Sequence, residues 1–125
     1  MPLDFDEPAK IERDKRLRRA LLDLLYLIRG ASPSGFSSGS FLVDSINKGL
    51  SRDQRVENDR HGISLLRVLE GMNMIDLRKS GLRRDDAVEL KNLHCKITAD
   101  GVALKTELSP PHPLIDDDRV SGEEL

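Results

Sequence analysis

The sequence is poor in sulfur and in aromatic rings. One cysteine, Cys95, stands among 125 residues, which excludes an intramolecular disulfide and a CxxC metal knuckle. There is no Trp, one Tyr and three Phe, so a core must be built from Leu, Ile and Val. That composition suits packed helices better than an aromatic-rich β-sandwich. No apolar run approaches the roughly 20 residues that a membrane span requires, and the acidic N-terminus lacks the apolar segment of a secretory signal. A cytoplasmic protein without membrane association is the simplest expectation. Excess charge is missing too. Twenty Lys and Arg against 22 Asp and Glu give a formal net charge of −2. No overall field draws the chain toward nucleic acid, and DNA binding would need a local basic patch to neutralise phosphates.

What is present is a chain 38% hydrophobic and 34% charged, the balance of a globular domain with a heavily charged surface. Its length fits a single domain. The charges are segregated. Residues 10–19 carry Lys10, Arg13, Lys15, Arg16, Arg18 and Arg19 against Glu12 and Asp14. The C-terminal stretch carries Asp116, Asp117, Asp118, Glu123 and Glu124 against Arg119. The expected organisation is a flexible arm over 1–8, a domain over 9–108 and an acidic, disordered tail over 109–125.

Apolar periodicity orders the elements. Leu17, Leu21, Leu24, Leu25 and Ile28 share one helical face, and Leu22 and Leu27 widen it, which predicts a helix over 9–29. Gly30 and Pro33 stop it. The Ser- and Gly-rich stretch 32–40 leaves room for one short strand near Phe36. Ser40 would cap a second helix over 41–48, with Phe41, Leu42 and Ile46 on its apolar side. Ser51-Arg-Asp-Gln54 fits the S-x-x-Q capping box and opens a segment running to about Gly71. Its first half is polar and its second half periodic at Leu65, Val68, Leu69 and Met72. Gly62 between them leaves two readings open: one long helix, or a short helix, a turn and a second helix. Met74, Ile75 and Leu77 suggest a strand. Leu93, Cys95 and Ile97 suggest another, with a turn or bulge near Lys91-Asn92 and a charged hairpin tip. Thr98 caps a last helix over 99–108.

This order, mainly α with a small β-hairpin (an α+β class), is that of a winged helix-turn-helix. The stretch Leu65-Leu-Arg-Val-Leu-Glu-Gly-Met-Asn-Met-Ile75 resembles the end of the recognition helix and the turn into the wing of winged-helix regulators. Asn73 stands at the position that is usually Gly there, and Asn tolerates a left-handed backbone. Ile97-Thr-Ala-Asp-Gly101 resembles the "LT..G" that follows the second wing strand in the MarR and PadR groups. Ser51-Arg-Asp-Gln54 is similar to the opening of the recognition helix in short phage-encoded winged-helix proteins, with about two more helical turns here before the wing. The resemblance covers about 17–108. It implies a homodimeric transcription regulator that binds double-stranded DNA, with helix 1 and residues 99–108 at the dimer interface.

A helix that reads the major groove needs polar side chains near its start, Arg for guanine and Gln or Asn for adenine. Arg52, Gln54, Arg55, Asn58, Arg60 and His61 are the candidates, set among Asp53, Glu57 and Asp59, which repel phosphate. Arg78, Lys79, Arg83 and Arg84 are the candidates on the wing, beside Asp85 and Asp86. The basic run 10–19 could touch the DNA backbone, pair with the acidic tail or a partner, or be a solvated helix end. Glu12–Arg16 and Asp14–Arg18 are spaced as i,i+4 pairs, each adding about 0.2–0.5 kcal/mol to a helix. His61, His94 and His112 lack metal-ligand spacing, Cys95 reads as a small buried hydrophobe, and no nucleophile elbow, phosphate loop or H-E-x-x-H motif occurs. No metal, cofactor or enzymatic activity is expected. The alternative to a DNA-binding regulator is a winged-helix adaptor between proteins, favoured by the net charge and by the carboxylates.

Overall fold

A computed structural model describes residues 7–30, 35–80, 89–106 and 113–115, with side chains from residue 9. Helix α1 spans Glu7–Ile28, strand β1 Ser37–Ser38 and helix α2 Gly39–Asn47. A single 3-10 turn, Arg52–Gln54, precedes helix α3, Asp59–Gly71. Strand β2, Ile75–Lys79, is followed by a second 3-10 turn, Leu90–Asn92, then by strand β3, Leu93–Ile97, and helix α4, Ala99–Lys105. The architecture is mainly helical with a small antiparallel sheet.

The core is aliphatic, as the shortage of aromatics requires. Leu17, Leu21, Leu22 and Leu25 of α1 meet Leu42 of α2, Leu65, Leu66 and Leu69 of α3, and Leu93 and Cys95 of β3, all essentially sealed from solvent. Each such leucine stabilises the fold by about 1.5–3 kcal/mol relative to exposure. α1 is the spine, touching α2, α3, α4 and β3. Leu27 departs from the expected apolar face and is 77% exposed. Phe41, expected on the inner side of α2, is half exposed. The buried face of α2 is Gly39, Leu42 and Val43, and Phe41 stands about 100° round the helix from Leu42. The helix also starts earlier than expected: Ser38, not Ser40, is the N-cap and accepts a bond from the Phe41 amide.

The sheet has the order β1-β3-β2, antiparallel throughout. The short strand beside Phe36 was legible, and so was the turn at Lys91-Asn92, which is the 3-10 turn leading into β3. Ile75 pairs with Ile97, Leu77 with Cys95 and Lys79 with Leu93. Ile75, Leu93, Cys95 and Ile97 face the helices, while Asp76, Arg78 and Lys96 face solvent, the period-2 alternation of a half-buried sheet.

The link from α3 to the hairpin is pinned by few residues. Asn73 takes φ 62°, a left-handed position that Asn tolerates better than most residues. Its side chain donates to Asp100 at 2.7 Å, and its carbonyl accepts from the Thr98 hydroxyl at 2.6 Å. Thr98 also caps α4 by accepting from the Gly101 amide, so one residue fastens both ends of the hairpin.

Of the two readings left open for segment 51–71, the structure takes the short helix, turn and second helix: after the 3-10 turn the backbone is extended at Arg55 and Asn58, and α3 begins at Asp59. Two other sequence expectations need correction. The Ser51–Gln54 capping box does not form, since the Ser51 hydroxyl donates instead to Asp53. The C-terminal stretch is also not wholly solvated. Ile115 is buried in the core cluster, and the Leu114 carbonyl accepts from Arg18 Nε at 2.8 Å. Residues 107–112 and 116–125 lie outside the described residues.

Candidate functional site

The turn between α2 and α3 is fixed by Asn47. Its side chain accepts from the Val56 amide at 3.0 Å and donates to the Val56 carbonyl at 3.4 Å, which satisfies a backbone segment that no regular element pairs. Val56 drops its side chain into the core. Arg55 Nε donates to the Leu50 carbonyl, closing the same turn from outside. Asn58 is the N-cap of α3 and accepts from the His61 amide at 2.9 Å, an interaction worth about 1 kcal/mol.

His61 is turned inward. Its Nδ1 accepts from the Glu57 amide at 3.0 Å, and its Nε2 lies 2.8 Å from Asp14 Oδ1 on α1. A backbone amide can only donate, so Nδ1 is the acceptor and Nε2 holds the proton that reaches Asp14. Arg13 bridges the same carboxylate and Glu57, and Arg16 donates to Gln54 Oε1 at 3.0 Å. Arg13 and Arg16 of α1 therefore bond to the segment just ahead of α3, and neither Glu12–Arg16 nor Asp14–Arg18 forms as an ion pair among the described residues, while Arg19 pairs with Asp23 within α1. A cleft of about 320 Å³ lies between them, lined by Lys10, Arg13, Arg52, Asp53, Gln54 and Glu57.

The structure divides the candidate residues into three groups. Arg52 and Gln54 come together at this cleft. Arg55, Asn58 and His61 are held in bonds that shape the turn and the helix start. Arg60 projects to solvent from the first turn of α3. On the hairpin, Arg78 stacks over the Phe36 ring at 4.5 Å and Lys79 is exposed, while Arg83 and Arg84 lie outside the described residues. Sequence reasoning missed Ser64 and Arg67. Both are exposed on α3, and with Arg60 they follow i, i+4, i+7, one helical face. That spacing was readable, but it lies within the segment whose apolar repeat drew the attention. Lys96, which shares the Phe36 ring with Arg78 at 5.8 Å, was missed as well.

No family model, curated protein or solved structure matches this chain.

The exposed stripe of α3 is mixed at its edges: Asp59 and Glu70 flank Arg60 and Arg67. Arg60 and Arg67 make no ion pair with any described residue, whereas Glu57 is partly neutralised by Arg13. Two groups are perturbed by burial. Desolvation pushes the Arg18 guanidinium below its ordinary value, partly opposed by Asp14, yet an arginine stays charged at any physiological pH. Burial, with a smaller contribution from Glu70, pushes the Cys95 thiol up to about 12, so it is an unreactive thiol inside the sheet.

Proposed function

We propose that the chain is a winged helix-turn-helix protein that binds double-stranded DNA as a transcription regulator, with α3 in the major groove and the β2–β3 hairpin on the backbone. The observation that carries this reading is the solvent face of α3. Arg60, Ser64 and Arg67 project outward along one stripe, on a helix that directly follows a pinned turn and directly precedes an antiparallel hairpin. Arginine is the side chain best suited to guanine edges and to phosphates. The element order and the β1-β3-β2 sheet support the same reading. Asn58 and His61 take no part in DNA reading here, because each is already committed to the fold. Arg78, Lys79, Arg83 and Arg84 are the hairpin's contribution.

An adaptor role is the second reading, and the exposed carboxylates Asp53, Glu57 and Asp59 near the helix start favour it, since each repels phosphate. One titration separates the two. Fluorescence anisotropy with a random-sequence duplex should give binding at low salt, with log K falling linearly in log salt at about 0.9 per neutralised phosphate. Absence of binding at micromolar protein assigns the face to a protein partner.

A further inference from the structure

We propose that the basic first half of α1 is the docking surface for this chain's own acidic tail, residues 116–124, and that the tail thereby competes with DNA phosphates. The second half of that statement rests on the DNA-binding reading; the first does not. The anchor is Leu114–Ile115. Ile115 is 6% exposed in the core, and Arg18, itself 8% exposed, donates Nε to the Leu114 carbonyl at 2.8 Å. The acidic run begins at the very next residue, Asp116.

Reach and charge both fit. An extended chain covers at most about 3.3–3.6 Å per residue. Asp116, Asp117 and Asp118 therefore leave the anchor within about 11 Å, the length of two turns of α1. Lys15 lies one turn before Arg18 on the same face, and Arg19 is its immediate neighbour. Among the described residues the ion pair of Lys15 is with Glu12, at 3.7 Å, with Lys15 part-buried and Glu12 mostly exposed, a pairing worth little. Residues 10–19 carry a net charge of +4 and residues 116–124 one of −4. Among the described residues Arg13, Arg16, Arg18 and Arg19 already have partners within the fold, so the cations offered to the tail are Lys10 and Lys15. A tethered acidic segment acts at a high effective concentration, so it can hold these two lysines against a diffusing polyanion at low salt.

The test is zero-length carbodiimide cross-linking of the full chain, followed by peptide mapping. The Lys105–Asp23 contact between α4 and α1 is the internal control. The expected product joins Lys15 or Lys10 to residues 116–118 and is lost in the triple variant Asp116→Asn, Asp117→Asn, Asp118→Asn. Formation of the control link with no link to the tail overturns the docking. In parallel, the triple variant should bind a random duplex about 3–10-fold tighter at low salt, with the advantage vanishing as salt screens both partners. Equal affinities overturn the competition. If neither protein binds DNA while the tail cross-link persists, the docking stands and the DNA-binding reading falls.

Discussion

Replacing Gly101 by Ala sets two effects of opposite sign against each other. Gly101 is in the first turns of α4, where alanine is favoured over glycine by about 0.8–1 kcal/mol on helix propensity alone. The structure predicts the reverse outcome. A Cβ on Gly101 would stand 2.7 Å from Ile97 Cγ1 and nearer still to the Met74 carbonyl oxygen. That carbonyl cannot move freely, because it accepts from the Thr98 amide, the bond that closes the base of the hairpin. Overpacking of this kind costs about 1–3 kcal/mol, and the backbone contact puts this case at the upper end, for a net loss of about 1–2 kcal/mol. At about 4–8 °C per kcal/mol for a domain near this size, the melting temperature should drop by roughly 5–15 °C. The same substitution at Gly71, the last residue of α3, meets nothing within 4 Å and should leave stability unchanged or raise it by up to about 1 kcal/mol. Thermal melts followed by far-UV circular dichroism compare the three proteins. A Gly101→Ala protein that melts at or above the parent would refute the claim that close approach between α4 and the hairpin base demands glycine here.

Three further outcomes follow from the geometry. The Cys95 thiol is raised from about 9 to about 12 in the fold, so its contribution is complete below about pH 9 and is lost as pH rises through that window, because the unfolded chain releases the proton first. Between about pH 8 and 10 the parent should lose about 1 kcal/mol more than Cys95→Ala in urea titrations; parallel curves would contradict the buried, protonated thiol. Asn73→Ala should destabilise by about 1–2 kcal/mol through left-handed strain and the lost bond to Asp100, and Asn73→Gly by less; equal losses in chemical denaturation would place the cause elsewhere. Arg67→Ala and Arg60→Ala should each weaken DNA binding, with the salt slope reduced by about 1 wherever the contact is to phosphate, and leave the melting temperature unchanged; retained affinity in both would remove α3 from the interface.

The elements were legible because each rests on local pattern. The leucine repeat of α1, the Leu93-Cys95-Ile97 alternation and the Thr98 cap all depend on neighbours within a turn or a strand. The start of α3 was not legible for the same reason inverted. Ser51-Arg-Asp-Gln54 satisfies a local capping rule, yet Asn47, Val56 and Asn58 impose a different path through bonds that span up to nine residues. Candidate residues chosen by type alone met the same limit. Asn58 acts through a cap to the amide three residues on, but nothing local marks His61, whose ring bonds Asp14 on α1, as different in kind from Arg60, which the fold leaves outside.

The sequence by itself determined an aliphatic, helix-rich domain with a short hairpin, since period and propensity are properties of adjacent residues. Tertiary structure alone decided which polar side chains are spent on α1–α3 contacts and that Ile115 returns to the core. Those outcomes depend on which surfaces meet once distant segments pack, and no window along the chain contains both partners of Asp14–His61 or of Arg18–Leu114.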